Sequence, residues 1–351
     1  MAKKDLTFIE QIEDSFGEGI VYKEKNEKID VISTGSIALD ISLGIGGIPR
    51  GRISEIYGPE SASKTTLCLS LAKNCTGRIL YVDQEQGLDH RYIKAVVGDI
   101  NFDKFILAQP ETGEQALGIC EMGIQSGNFD LVVLDSIGAL APAKEKEKEL
   151  GDKSVALTSS ILTQFLRRNA FAIRGNNVAM VFVNQIRANI GVMFGPKTNT
   201  PGGYALQHYA SIRLQLTKMG KDYEIKDGDE LIGVHARFVV KKNKVAVPFK
   251  SFNYPLVFGK GIDRAIGIVD FAKMLGIIIM RGAYFTFEGE QLGQGIVKTL
   301  VRLREENELL DKIEKVCYNT TIGLSFYKER SNNEEIVDTK EDILDGAVSE
   351  S

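Results

Sequence analysis

The sequence is poor in the residues that build metal centres and covalent frameworks. It holds four cysteines and three histidines in 351 residues. Cys68, Cys75, Cys120 and Cys317 form no CxxC pair and the histidines are scattered, so neither a structural zinc site nor a disulfide framework is expected. No stretch approaches the roughly 18 apolar residues of a membrane span. Met1-Ala2-Lys3-Lys4-Asp5 leads into no apolar run of the kind a signal peptide needs. The expectation is a cytoplasmic chain with no membrane partner. A dominant charge is also missing. Forty-three basic and 47 acidic residues leave a net charge of −4, which excludes a uniformly basic nucleic-acid coat but permits a local basic groove. The 43% hydrophobic share excludes wholesale disorder.

Glycine, by contrast, is abundant, with 35 residues and no internal repeat. That combination points to functional loops. At roughly 150 residues per domain, the length suggests about two units. Leu6, Ile9, Ile12 and Phe16 have helical spacing that stops at Gly17, and the polar stretch Lys23–Lys28 reads as a linker. Such a helix either covers its own core or docks on a neighbouring subunit. From residue 50, short apolar runs alternate with helical stretches. Arg78–Asp83, Asp130–Asp135 and Val178–Asn184 are runs of the kind found in parallel strands buried on both faces. Thr112 and Gln115 have capping-box spacing at the start of one intervening helix. The expectation is an α/β core with a mostly parallel central sheet. A helix over Ile262–Leu275, a short β unit near Tyr284–Phe287 and a helix over 297–316 predict a small α+β C-terminal domain. The expected boundaries are 1–33, 34–260 and 261–330. Residues 331–351, with seven acids and one lysine, form an expected disordered acidic tail.

The strongest motif is Gly58-Pro59-Glu60-Ser61-Ala62-Ser63-Lys64-Thr65, between a predicted strand, Ile53–Tyr57, and an apolar helix, Leu67–Leu71. That is the setting of a phosphate-binding loop: backbone N–H groups cradle phosphates, Lys64 reaches the β and γ phosphates, and the Thr65 hydroxyl ligates magnesium. Ser63 stands where the motif wants glycine, and its Cβ restricts the backbone. The competing reading is a turn before a buried helix. Further polar groups end the predicted strands: Asp135-Ser136, suited to organising magnesium; Glu85, suited to deprotonating an attacking water; and Gln185, suited to sensing a γ-phosphate. Each alone has a plainer reading: Asp135 as a helix cap, Glu85 as a solvated loop acid and Gln185 as a capped strand end. Together they sit where open α/β sheets bind ligands.

Several strings carry a resemblance. They are Ile32-Ser33-Thr34-Gly35-Ser36, Gly46-Gly47-Ile48-Pro49-Arg50-Gly51-Arg52, Gln109-Pro110-Glu111-Thr112-Gly113-Glu114-Gln115, Asn184-Gln185-Ile186-Arg187, Lys242-Asn243-Lys244 and Gly293-Gln294-Gly295. Over residues 5 to 330 the chain resembles the bacterial RecA recombinase family. The resemblance implies a RecA-like P-loop ATPase core that uses ATP and Mg2+. It further implies self-association into a helical filament on single-stranded DNA, capture of double-stranded DNA, and strand exchange. By the same resemblance, the N-terminal helix docks on the adjacent protomer and Thr66 belongs to the nucleotide loop. Asp89 and Tyr92 contact the adenine, and Lys242 and Lys244 reach the ATP of the neighbouring subunit. Without the family, both lysines read as an exposed strand face.

Two segments are expected to contact DNA. One runs from Arg187 to Gly203, where Gly202 and Gly203 offer backbone N–H groups to phosphates and Ile190 wedges between bases. The other lies near Glu149–Ala156, with Thr163 and Arg167 on the following helix facing the same way in the family. The sequence also departs from the family at Ser63, Ser160, Tyr204 and His208. Residues 261–330 carry ten basic and ten acidic side chains, so weak duplex capture is expected. These features suggest a divergent, phage-borne member. The alternatives are a nucleotide-gated single-stranded DNA-binding filament with weak hydrolysis, and a ring-forming helicase of the same fold.

Overall fold

Alternation of apolar strands with capped helices builds the architecture seen in the computed structural model. It describes residues 2–17, 29–143, 155–188, 198–220, 223–227 and 229–321. The Lys23–Lys28 linker, residues 144–154, Ile190 with residues 191–197, and the acidic tail lie outside the described residues. By contact the chain divides into residues 1–30 and 31–351. The first unit contains helix α1 (Ala2–Phe16), which ends as expected at Gly17, whose N–H donates to the Glu13 carbonyl at 2.8 Å.

The second unit begins with β1 (Val31–Ile32), α2 (Ile37–Leu43) and β2 (Ile48–Pro49). Then come β3 (Arg52–Gly58), α3 (Lys64–Asn74), β4 (Ile79–Asp83), α4 (His90–Val97), α5 (Asp99–Phe102), β5 (Phe105–Ala108), α6 (Gly113–Ser126) and β6 (Leu131–Asp135). Helix α7 (Val155–Gly175) leads to β7 (Ala179–Gln185), the short pair β8 (Arg187–Ala188) and β9 (Thr198–Asn199), and α8 (Tyr204–Tyr209). The antiparallel part comprises β10 (Ile212–Lys218), β11 (Glu224–Asp227), β12 (Glu230–Asn243), β13 (Ser251–Val257) and β14 (Gly261–Ile262). Helix α9 (Arg264–Met274), the hairpin strands β15 (Ile278–Arg281), β16 (Tyr284–Phe287) and β17 (Glu290–Gln294), α10 (Gly295–Glu305) and α11 (residues 307–321) complete it.

The central sheet runs β14-β13-β12-β10-β3-β7-β6-β4-β5, with β11 on β12. From β10 to β5 every pairing is parallel. Successive residues of a strand face opposite sides, and both sides are packed. Leu131 and Val133 join the cluster that includes Leu67 and Leu71 of α3, while Val132 and Leu134 join the one that includes Cys120 of α6 and Leu166 of α7. This explains the unbroken apolar runs in the sequence. The Thr112–Gln115 capping box forms as its spacing predicts. Two helix boundaries differ from expectation. The first is displaced because Asp263 accepts the Ile266 N–H at 2.9 Å and starts α9 there, leaving Ile262 in β14. The stretch 297–316 is two helices, broken where Glu306 takes φ −99° and ψ 72°. Among the described residues no helix is long and apolar enough to cross a membrane.

Candidate nucleotide and DNA site

Strands β3, β4, β6 and β7 all end at the same edge, and the loops there converge. Gly58 closes β3 under a tight constraint: a Cβ would stand 2.4 Å from the Leu216 carbonyl oxygen of β10. The chain then curls through Ser61 (φ 56°) and Ser63 (φ 65°), both in the left-handed region. Ser63 precedes α3 without a side-chain cap. The first N–H groups of α3 therefore lack the usual side-chain acceptor, and the positive end of the helix is available to an anion. Lys64 bends over the loop, its Nζ donating to the carbonyls of Pro59 (2.7 Å) and Gly58 (3.2 Å). Burial lowers its pKa, opposed by the nearby Asp135, Glu85 and Glu60.

Asp135 ends β6 in register with Asp83 of β4. It is buried and accepts hydrogen bonds from the Thr65 hydroxyl (2.7 Å) and the Tyr81 hydroxyl (2.6 Å). Burial pushes its carboxyl up to about 6 in spite of both bonds. A desolvated carboxylate beside a threonine hydroxyl is a hard-oxygen donor set that fits magnesium. Beside it, Glu85 Oε1 accepts from the Ser136 hydroxyl and from Gln185 Nε2, the latter at 3.0 Å. Lys64, Thr65, Glu85, Asp135, Ser136 and Gln185 are thus brought together from separate loops. Asp89 caps α4, accepting from the N–H groups of Arg91 (2.7 Å) and Tyr92 (3.3 Å). The Tyr92 hydroxyl bonds the Thr66 hydroxyl at 3.0 Å, which ties α4 to α3.

Lys242 and Lys244 hold the C-terminal carbonyls of α8. Lys242 Nζ donates to Gln207 O (2.5 Å) and His208 O (3.1 Å), and Lys244 Nζ to His208 O (3.3 Å). Burial lowers the Lys242 pKa, and Lys244 and Arg213 add to that.

At the other end of α8, Gly202 (φ 91°) packs so closely on α7 that a Cβ would meet Leu162 at 2.7 Å. Gly203 lies against Ser159. Thr163, one turn along α7, bonds the Ser159 carbonyl at 2.6 Å, and Arg167, one turn further, is exposed. The backbone of Arg187 pairs with Asn199, which closes the base of the glycine-rich loop. Sequence reasoning missed Tyr81, whose hydroxyl lies inside an apolar strand, and a polar network around Glu55. The signal for the latter was a charge within the otherwise uncharged stretch Ile53–Tyr57.

A parallel sheet extended by antiparallel strands, with the Gly58–Thr65 turn between β3 and α3, defines an α/β protein of the RecA-like class. A solved structure of the RadB recombinase shares this fold, with a TM-score of 0.51 at 22% identity, covering 66% of this chain and 98% of that one. The family model of the RecA N-terminal domain matches residues 4–263, and that of the RecA C-terminal domain matches residues 267–320. Protein RecA of Streptomyces coelicolor is 43% identical over 330 residues, 92% of this chain and 87% of that protein. Protein RecA of Teredinibacter turnerae is 42% identical over 324 residues, 91% and 93% of the two chains. The chain belongs to the RecA family of recombinases.

Proposed function

We propose that this chain is a DNA-dependent ATPase that forms a helical filament on single-stranded DNA and drives homologous pairing and strand exchange with duplex DNA. The observation that carries the reading is the Gln185–Glu85 hydrogen bond, two residues before the loop that starts at Arg187. One side chain thereby joins the hydrolytic carboxylate to the root of the DNA segment.

The uncapped N-terminus of α3 and the loop from Gly58 to Lys64 bind the phosphates, and Asp89 and Tyr92 flank the base. Thr65 and Asp135 would hold magnesium, which would supply charge neutralisation for the bound phosphates. Glu85 acts as the base toward the attacking water. Both of its described hydrogen bonds fall on Oε1, which leaves Oε2 to accept the proton. Lys242 and Lys244 serve the nucleotide of the neighbouring protomer and exchange their α8 carbonyls for phosphate oxygens on assembly. Cations supplied this way neutralise phosphoryl charge only when a partner has docked. Arg167, Thr163, Arg187, Gly202 and Gly203 hold the DNA backbone and Ile190 opens the base stack. Such contacts are independent of sequence and leave base edges free for pairing.

Gln185→Ala is expected to bind ATP with near wild-type affinity and to lose the ATP-dependent gain in single-stranded DNA affinity. Filter binding in ATP analogue and in ADP checks this. A variant that still tightens on DNA with ATP refutes the coupling.

A further inference from the structure

A row of polar side chains crosses four adjacent strands of the central sheet among apolar neighbours. Strand register creates it. Lys242 of β12 pairs with Arg213 of β10, Arg213 with Glu55 of β3, and Glu55 with Phe182 of β7. Asn184, two residues beyond Phe182, therefore stands diagonal to Glu55 on the same face.

Glu55 and Asn184 are both fully buried. Both carboxylate oxygens of Glu55 are engaged: Oε2 accepts from Arg213 Nε at 2.5 Å and Oε1 from Asn184 Nδ2 at 3.0 Å. The Arg213 guanidinium also lies over the Tyr57 ring, 4.7 Å from its centroid. Breaking a buried ion pair by removing one partner is strongly destabilising, so the Glu55–Arg213 pair is a rigid anchor. Asn184 extends from that anchor in two directions. Its Nδ2 also donates to the Pro201 carbonyl at 3.0 Å, and its Oδ1 accepts the Gln185 N–H at 2.9 Å. One buried amide thus grips the backbone of Gln185 and the residue directly before Gly202-Gly203.

We propose that Asn184, anchored by the Glu55–Arg213 pair, is the positioning residue that passes the state of Gln185 to the end of the DNA loop. The inference rests on the function proposed above. When Gln185 leaves Glu85 for a γ-phosphate, its N–H shifts against Asn184 Oδ1. The amide plane cannot yield toward Glu55, where its hydrogen bond is to a buried carboxylate fixed by Arg213. It yields toward Pro201, which is held on that side by one neutral hydrogen bond, and the loop end moves with it.

The test compares wild type, Asn184→Ser and Arg213→Lys. Affinity for a labelled single-stranded oligonucleotide is measured by anisotropy in ADP and in a non-hydrolysable ATP analogue, and affinity for each nucleotide is measured separately. The informative quantity is the ratio of DNA affinities in the two nucleotides. Asn184→Ser is expected to lose about tenfold of that ratio, the scale of one lost hydrogen bond to a charged group. DNA affinity in ADP, and affinity for both nucleotides, are expected to stay near wild type. Arg213→Lys, which keeps the charge but not the planar fork, loses the ratio in the same direction; it lies outside the nucleotide loop and carries the test if Asn184→Ser does not fold. A wild-type ratio in either folded variant overturns the proposal. So does an equal loss in ADP and analogue, which marks a purely structural role. A wild type with no nucleotide-dependent DNA affinity overturns the proposed function itself, and this inference with it.

Discussion

Replacing Ser63 by glycine is expected to stabilise the protein. Ser63 has φ 65° and ψ 23°, and its side chain makes no capping hydrogen bond. Holding an L-residue in the left-handed region costs roughly 1–2 kcal/mol. Glycine removes that penalty and gives back about 0.5–1 kcal/mol through the greater freedom of the unfolded chain. The net gain is about 0.5–1 kcal/mol, or a rise in Tm of about 1–3 °C for a chain of this size. Ser63→Ala keeps the backbone penalty and loses no cap, so it should stay within about 0.5 kcal/mol of wild type. Because serine already holds the loop in this conformation, the strain sits in the folded protein and is not imposed by nucleotide. Wild type should therefore hydrolyse ATP with strong stimulation by single-stranded DNA, and Ser63→Gly should change kcat by less than about threefold. Urea unfolding and phosphate release with and without DNA provide the two readouts. The reasoning is refuted if Ser63→Gly is no more stable than Ser63→Ala. A silent wild type awakened by Ser63→Gly would instead make the chain a nucleotide-gated DNA binder.

Other perturbations follow from buried polar groups. Tyr81→Phe removes the 2.6 Å hydrogen bond to Asp135 and should cost about 1.5–3 kcal/mol by chemical denaturation; an unchanged midpoint would contradict the described geometry. Asp40 is fully buried, accepts from Ser33 Oγ (2.6 Å), Thr34 Oγ1 (2.7 Å) and Thr34 N (2.9 Å), and is pushed up by burial to about 7. The folded state then binds a proton that the unfolded chain releases between about pH 4 and 7. This group therefore makes stability fall as pH rises through that window, by on the order of 4 kcal/mol. Asp40→Asn should remove that slope, and a stability difference from wild type that is flat between pH 5 and 8 would refute it. Gly58→Ala drives a Cβ to within 2.4 Å of the Leu216 carbonyl and should destabilise by more than about 2 kcal/mol; an easily tolerated alanine would show that β3 and β10 are further apart.

Much of the site was legible because its chemistry is local. The turn from Gly58 to Thr65 needs small residues and a lysine at set offsets, so a short string announces it. Asp135 and Gln185 end buried strands and Glu85 follows one, and a parallel sheet delivers strand ends to one edge. The helix at Thr112 was visible because its cap closes over four residues. Other features depended on register. Nothing in the local sequence says that Arg213 pairs with Glu55, or that Asn184 reaches Pro201 across 17 residues. The start of α9 moved because Asp263, an ordinary polar residue in sequence, caps it.

The sequence by itself determined the family, the α/β alternation, the turn from Gly58 to Thr65 and the strand-end acids, because periodicity and loop chemistry are written over a few neighbouring residues. Tertiary structure alone decided that Ser63 carries left-handed strain, that Tyr81 holds Asp135, and that Glu55, Arg213 and Asn184 form one buried row. Those facts arise where distant strands pack side by side, and burial there sets both the charge state of a group and the partners it must have.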